Sequence, residues 1–360
     1  MPPPDVFIFR IGQLGDTLVA LPALRRISQL HAGARLWLIT NAAREGIVSA
    51  WDVLQHTRLF HDVLFYDSSR PERLLQLALR CRLRRGHTLY YLSPARSRAQ
   101  LQRDRLFFRW ACGFEQIIGL DEHDVQSPRD AHGRLRVLPR ESDRLLKSVD
   151  PAGLMPPPPH LFPPPSAAKR ADDCLAPLLG RPVIALGPGS KMPAKKWFAE
   201  RYVEVCKRIV ARAPGVGFAV FGSKAERADG DLLLSALGTP FIANLAGTTD
   251  IIESAAALSR CSLYLGNDTG TMHLAAAMGV PCVAIFTSRE NRDSWHPLGD
   301  AHAILRRDLP CSGCMLERCE IERMRCLDLI TVEDVWAALE PRIVALPPAG
   351  PARDVLPSPR

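Results

Sequence analysis

LYLGNDTGTMHLAAAMGVPCVAIF, residues 263–286, is the stretch on which the fold turns. Residues 263–265 are apolar and predict a strand, 266–270 are polar and predict a loop, and a helix is expected from near Thr271. Residues 283–286 return as a second apolar strand. That succession is a βαβ unit, whose parallel strands leave the intervening loop at their carboxyl ends. Asn267, Asp268, Thr269 and Gly270 then stand at a helix N-terminus. Free backbone N–H groups and the positive end of the helix dipole make such a place suited to a phosphate.

The same alternation extends outward in both directions. Near the start, residues 6–9 form an apolar run, followed by RIGQLGDTLVALPALRRI with glycines at 12 and 15, Asp16, and apolar residues at helical spacing (Leu18, Leu21, Leu24, Ile27). Asp16 falls at the helix start on the carboxyl edge of the sheet, as a chemical group or as an ordinary N-cap. The spacing is GxxGD rather than the dinucleotide GxGxxG, and no GxxxxGK[ST] phosphate loop occurs. Strands are expected at 35–40, 63–66 and 88–92 and helices through 43–51 and 72–82, with 108–120 continuing the pattern. In the second half, strands at 183–186 and 217–221 alternate with helices at 199–213, after 222, and at 250–258. A helix at 332–345 closes the fold. Strand–helix alternation of this kind implies α/β architecture with parallel, doubly wound sheets.

A chain of 360 residues and 39.8 kDa, 47% hydrophobic, suits two cores. MPPPPHLFPPP (155–165) excludes helix interior and central strand and predicts a stiff connector. The expected division is a first domain at 1–154, a linker at 155–168, a second domain at 169–346 and a disordered tail at 347–360. The N-terminus lacks a signal-peptide pattern and the longest apolar window, 274–286, is too short to span a bilayer, so a cytoplasmic location is expected. In that compartment ten cysteines imply thiols or metal ligands rather than disulfides. A net charge of +8 favours an anionic partner: nucleotide, nucleic acid or a phosphate-bearing membrane surface. Much of the excess lies in 80–109, either as solvated helix faces or as a binding patch.

Lys195 and Lys196 sit in the loop GPGSKMPAKKW after a strand, as a diphosphate clamp or as a surface pair. Glu226 follows the next strand, where a carboxylate can take ribose hydroxyls or simply begin a helix. His273 lies in the first turn after Gly270, close to the expected anion seat. Cys311, Cys314, Cys319 and Cys326, in CSGCMLERCEIERMRC, are enough donors for a tetrahedral zinc or iron site, with free thiols as the alternative. Cys206, Cys261 and Cys282 fall on apolar faces and read as core. No GxSxG elbow or HExxH motif is present.

Taken together, RIGQLGDTLVALPAL, GPGSKMPAKKW and LAGTTDIIESAAALSRCSLYLGNDTGTMHLAAAMGVPCVAIF resemble glycosyltransferase family 9, the ADP-heptose:lipopolysaccharide heptosyltransferases, over about residues 6–345. The resemblance implies a GT-B fold of two Rossmann-like domains facing across a cleft, with acceptor in the first, nucleotide-sugar in the second and no catalytic metal. It implies inversion, Asp16 as general base and Lys195 as the lysine that steadies the departing diphosphate. It also implies a ribose contact for Glu226, a sugar contact for Asp268, phosphate-facing N–H groups at Thr269 and Gly270, and a sugar- or phosphate-proximal His273. The expected partners are ADP-heptose and an anionic glycolipid, with peripheral contact at the inner membrane and no nucleic acid. FTSRENRDSW, where many members read FGPTDP, departs from the family pattern near the donor. Two rivals are a protein heptosyltransferase with cysteine-bound iron and a non-catalytic nucleotide-sugar binder.

Overall fold

The computed structural model describes residues 3–42, 48–84, 87–93, 96–120, 129–130, 132–133, 135–153, 155–156, 158 and 160–348. They divide into two compact units: Met1–Phe162 with Asn291–Leu298, and Pro163–Glu290 with Gly299–Arg360.

The first unit is built on β1 (Asp5–Phe9), β2 (Arg35–Thr40), β3 (Asp62–Phe65), β4 (Thr88–Tyr91) and β5 (Gln116–Ile118). All neighbours pair in parallel, in the order β3-β2-β1-β4-β5. Every residue of DVFIF in β1 is buried, which identifies it as a central strand covered on both faces. Order reverses between β1 and β4, so the carboxyl ends of these two strands form the switch point.

The core on one face is aromatic: Phe7, Phe9, Tyr66, Tyr91, Phe108 and Phe114 pack together. Within it Asp104, fully buried, accepts from the Tyr66 hydroxyl at 3.1 Å and the Tyr91 hydroxyl at 2.7 Å. Arg103 and Arg96 neutralise that carboxylate at 2.9 and 3.3 Å. Arg82 donates to the carbonyls of Ala111 and Trp110, and Arg84 lies over the Trp37 ring at 4.0 Å. Much of the arginine-rich stretch is therefore tied into the fold rather than spread as one basic patch.

The second unit has β6 (Val183–Gly187), β7 (Gly217–Val220), β8 (Ile242–Asn244), β9 (Leu263–Asn267), β10 (Cys282–Phe286) and β11 (Ala303–Arg306). These are also all parallel, in the order β11-β10-β9-β6-β7-β8. The switch point lies between β6 and β9, in register Gly187↔Gly266. Cys206, Cys261 and Cys282 are buried, as their apolar surroundings imply. Both units are thus Rossmann-like and doubly wound, the expected GT-B fold class. Among the described residues no helix is long and apolar enough to cross a membrane.

Several local expectations need correction. β9 runs on to Asn267, and the following helix, Gly270–Ala277, begins at Gly270 rather than Thr271. A helix at Pro165–Cys174 starts inside the proline-rich segment with proline in its first turn, where the missing N–H costs nothing and the fixed φ already suits the helix. Residues 108–120 hold a π-helical turn, Phe107–Ala111, before β5. The first unit's segment 43–47 and the tail from 349 lie outside the described residues; the helix seen next to 43–47 is Ala50–Leu54. The edge strand β11 and the return of Asn291–Leu298 to the first unit have no counterpart in the apolar pattern. Hydrogen bonds fix that return: Asn291 Nδ2 donates to the Arg136 carbonyl at 3.0 Å, and Glu141 N to the Ser294 carbonyl at 2.8 Å.

Candidate functional site

In the second unit the expected site residues gather at the switch point, on the loops leaving β6, β7 and β9. GPGSKMPAKKW leaves β6 without regular structure because its prolines and glycines resist both helix and strand, and it then makes one helical turn, Pro193–Lys195. That turn aims Lys195 at the loop after β9. Lys195 Nζ lies 2.7 Å from Asp268 Oδ2 and 3.3 Å from Glu290 Oε1. All three side chains are largely buried, at 14%, 7% and 17% exposure, so these are enclosed charges rather than a surface pair. Burial pulls the lysine pKa down, but Asp268 and Glu290 outweigh it and hold the value above the ordinary one. The site therefore keeps a cation with two resident counter-ions.

Lys196 behaves differently. It is half-exposed and reaches Asp229 only at 3.6 Å, which resolves the choice between the two lysines in favour of Lys195 as the enclosed one.

Asn267 is fully buried and its amide is spent internally. Its Oδ1 accepts from Trp197 N at 3.2 Å and the Tyr202 hydroxyl at 2.9 Å, while Nδ2 donates its two hydrogens to Pro188 O at 2.6 Å and Gly189 O at 3.4 Å. A side chain so engaged has no amide hydrogen left to offer a ligand at short range. Its expected place among the ligand contacts is corrected to a clamp that holds the β6 loop against β9. Thr269 is the N-cap of helix Gly270–Ala277 and makes no side-chain cap bond. The N–H groups of this first turn remain the natural anion donors. His273 is buried in the same turn.

Glu226 ends a short turn, Lys224–Glu226, after β7. Its Oε2 accepts from Ser223 N at 2.6 Å and Ser223 Oγ at 2.8 Å, closing a capping box. It also leans on the β6 loop: any Cβ at Gly189 would collide with Glu226 Oε1. Glycine at 189 is what lets the carboxylate lie over this loop.

Asp16 belongs to the first unit. It is the third residue of helix Leu14–Val19, and its Oδ2 accepts from Gln13 N at 2.8 Å. Gln13, not Asp16, is the N-cap, and Asp16 is the third-position partner of its capping box; Asp16 Oδ1 has no hydrogen bond among the described residues. Gly12, at φ +137°, makes room for it, since a Cβ there would come within 2.5 Å of Asp16 Cβ. Beneath the turn, fully buried Arg10 donates to the carbonyls of Asp16 and Leu92. Burial lowers its pKa while Asp16 and Glu141 oppose the fall.

Sequence reasoning missed Glu290 and Arg289. Arg289 is buried, pairs with Glu290, and donates Nε to Leu316 O and Nη2 to Met315 O, each at 2.8 Å. The signal was available: two adjacent opposite charges directly after the last central strand are out of place unless paired.

Cys311, Cys314, Cys319 and Cys326 line one small cavity together with Thr287 and Arg289. As they stand, the described His, Cys, Asp and Glu side chains form no group of three close enough to hold a metal ion, so the sequence expectation of a ready tetrahedral site is not met in this arrangement. Cys311, Cys314 and Cys319 are spread along irregular chain that turns through left-handed residues Met315, Arg323 and Met324, and Cys326 lies in the short helix Arg325–Asp328.

Comparison with known proteins bears on the second unit above all. The family model described as glycosyltransferase family 9 (heptosyltransferase) matches residues 158–325. Lipooligosaccharide heptosyltransferase 2 of Haemophilus influenzae is 33% identical over 134 residues, 36% of this chain and 38% of that protein. The chain thus spans well under half the length of such curated relatives in alignment. Among solved structures, E. coli ADP-heptose lps heptosyltransferase II superimposes with a TM-score of 0.66 at 20% identity, covering 94% of this chain and 99% of that one. A glycosyltransferase family 9 protein from Veillonella parvula gives 0.71 at 17% identity, with 95% and 97% covered. At those identities the structural likeness speaks for the fold.

Proposed function

We propose, from the premise that the chain belongs to glycosyltransferase family 9, that it is an inverting heptosyltransferase using ADP-heptose and a lipopolysaccharide-core or related anionic glycolipid acceptor. The observation that carries the reading is the enclosed Lys195 ammonium at the switch point, beside a helix N-terminus. That combination suits a diphosphate, and a switch point is where doubly wound sheets take nucleotides.

In this scheme an acceptor hydroxyl attacks the anomeric carbon of heptose from the face opposite the diphosphate. The new C–O bond forms as the bond to the β-phosphate oxygen breaks, and the electron pair leaves with ADP. Asp16 takes the hydroxyl proton on Oδ1, while its other oxygen stays anchored on Gln13 N. Lys195 and the N–H groups at Thr269 and Gly270 stabilise the charge growing on the diphosphate, so the residues present supply the role a metal would otherwise fill. Glu226 receives the ribose, and Asp268, released from Lys195 by the phosphates, receives a sugar hydroxyl. His273 supports the same turn. Asn267 acts one step back, as the clamp on the β6 loop. An acceptor of this class places the enzyme on the cytoplasmic face of the inner membrane as a peripheral protein, with exposed arginines of the first unit meeting lipid phosphates.

The test is calorimetric titration with ADP, ADP-heptose, UDP-glucose and GDP-mannose. Selective binding of ADP and ADP-heptose is expected. Preference for UDP or GDP compounds would overturn the donor assignment, and no binding at all would overturn the reading.

A further inference from the structure

We propose that Tyr264 is a positioning residue of the phosphate seat: its hydroxyl donates to Thr269 Oγ1 and so turns the Thr269 hydroxyl hydrogen toward a bound diphosphate. The inference rests on the function proposed above, which puts a diphosphate at this place.

The ring lies in a slot left open for it. Tyr264 stands in β9 between Leu263 and Leu265 and is fully buried. Side chains alternate faces along a strand, so Tyr264 shares a face with Gly266, while Leu263 and Leu265 join the apolar core on the other. Gly266 pairs with Gly187, the last residue of β6. A Cβ at either glycine would collide with the Tyr264 hydroxyl. The phenol therefore runs along the strand over two missing side chains. Its oxygen reaches the carboxyl edge of the sheet at the β6–β9 switch point.

That oxygen is buried and makes no hydrogen bond of good geometry. A hydroxyl left so costs its full desolvation, and phenylalanine would fill the same apolar space without that cost. Thr269 supplies the explanation, because its side chain comes near enough to act on the phenol. Thr269 is half-buried at the N-cap of helix Gly270–Ala277, and its own hydroxyl does not cap that helix. A threonine hydroxyl has one hydrogen and two lone pairs. With an anion at the helix N-terminus, the hydrogen faces the anion and a lone pair is left for Tyr264. The two hydroxyls then form a chain, phenol to threonine to phosphate oxygen, in which each bond strengthens the next.

The phenol is fixed in the donor role. Burial pushes its pKa well up; Thr269 pulls the other way, and Cys282, Glu226 and Asp268 add to the rise. It stays neutral, so the relay steadies phosphate charge beside Lys195 without bringing a further ion into an enclosed site.

The experiment is calorimetric titration of ADP into the unmutated chain, Tyr264→Phe, Thr269→Val and the double variant, with thermal melts beside it. Tyr264→Phe keeps the ring in its slot and removes only the orphaned hydroxyl, so its melting temperature is expected to hold or rise. Its ADP affinity is expected to fall about three- to tenfold. Thr269→Val is expected to cost at least as much, and adding Tyr264→Phe to it to cost nothing more. That coupling is what a merely structural hydroxyl would not produce. Unchanged ADP affinity in Tyr264→Phe overturns the proposal, as do losses that simply add in the double variant. Unchanged affinity in Thr269→Val overturns it too, with no change made at the buried position. In each of those outcomes the unmutated chain still binds ADP and the functional reading stands. Failure of the unmutated chain to bind ADP overturns that reading and this inference together.

Discussion

Lys195 Nζ rests 2.7 Å from Asp268 Oδ2, an ion pair joining the loop after β6 to the loop after β9 across the switch point of the second sheet. Glu290 adds a second carboxylate at 3.3 Å. The lysine therefore carries its charge in neutralised form. An arriving diphosphate need not bring a new cation into a dry site; it has only to replace carboxylates that already pay the ammonium's desolvation. In the proposed mechanism that exchange of partners would free Asp268 for the sugar.

Replacing Lys195 by alanine should lower ADP affinity at least about tenfold, whereas Lys196→Ala, at a half-exposed position, should change it less than about twofold. Lys195→Ala also leaves Asp268 buried without its cation, while Glu290 keeps Arg289, a loss of about 3–5 kcal/mol by the usual cost of breaking a buried pair. Calorimetry and denaturant unfolding read the two effects separately. The pH dependence has a definite sign. Because the folded-state pKa of Lys195 is raised, its contribution is complete below the ordinary lysine value of 10.5 and is lost as pH rises through the folded value. The variant should lack that alkaline loss.

Glu290→Gln removes one negative charge beside the proposed phosphate seat while keeping the side chain's shape. Two like charges about 5 Å apart at an effective dielectric near 20 repel by about 3 kcal/mol. After screening and loss of one lysine partner, ADP should bind about fivefold more tightly. Weaker binding would show instead that Glu290 orients Lys195 rather than competing with its ligand. Titration at low and at high salt checks the electrostatic origin, since the gain should shrink with ionic strength.

How much of this was legible beforehand differs by residue. Local chemistry spoke clearly where one segment carried both fold and site: residues 263–286 gave the βαβ unit, and glycines beside Asp16 gave the first turn. Only the family resemblance singled out Lys195 beforehand; the residues themselves left it level with Lys196, because burial is set by which face of a one-turn helix meets Asp268. Asn267 was read with Asp268, Thr269 and Gly270 as a polar loop at a helix N-terminus, whereas it is the buried last residue of β9. Its partners, Trp197, Tyr202 and Pro188, are about seventy residues away in sequence, and no short-range pattern reveals them. Asn291–Leu298 returning to the first unit is illegible for the same reason: its attachments to Arg136 and Glu141 are single hydrogen bonds that leave no apolar periodicity.

His160 gives the first unit an acid-sensitive point. Its ring is almost wholly buried, Nδ1 has no hydrogen-bond partner, and Arg25 donates to its carbonyl at 3.0 Å. Burial first, and Arg25 second, lower its pKa from 6.5 to about 4. The folded state thus holds the ring neutral at pH values where the unfolded chain takes a proton. Stability should be full above about pH 6.5, fall by up to about 3 kcal/mol as pH drops to about 4, and level off below. His160→Gln should flatten that part of the profile in urea unfolding measured between pH 7 and 4.

Asp16 offers the sharpest separation of structure from chemistry. Its Oδ2 closes the first turn by accepting from Gln13 N, a task that an asparagine oxygen can perform equally well. Asp16→Asn should therefore leave the melting temperature within about 2–4 °C of the parent, and ADP binding, assigned to the other unit, unchanged. Sugar transfer should nevertheless fall by about 10²–10⁴, the range ascribed to a positioned general base. Gly12→Ala is the structural counterpart: at φ +137°, with Asp16 Cβ 2.5 Å from the added methyl, it should displace the carboxylate and lower both stability and transfer. Transfer assays beside thermal melts of the two variants decide the matter. Full activity in Asp16→Asn would assign the residue to capping alone and require another base, whereas loss of transfer with an intact fold and intact ADP binding would exclude the non-catalytic binder.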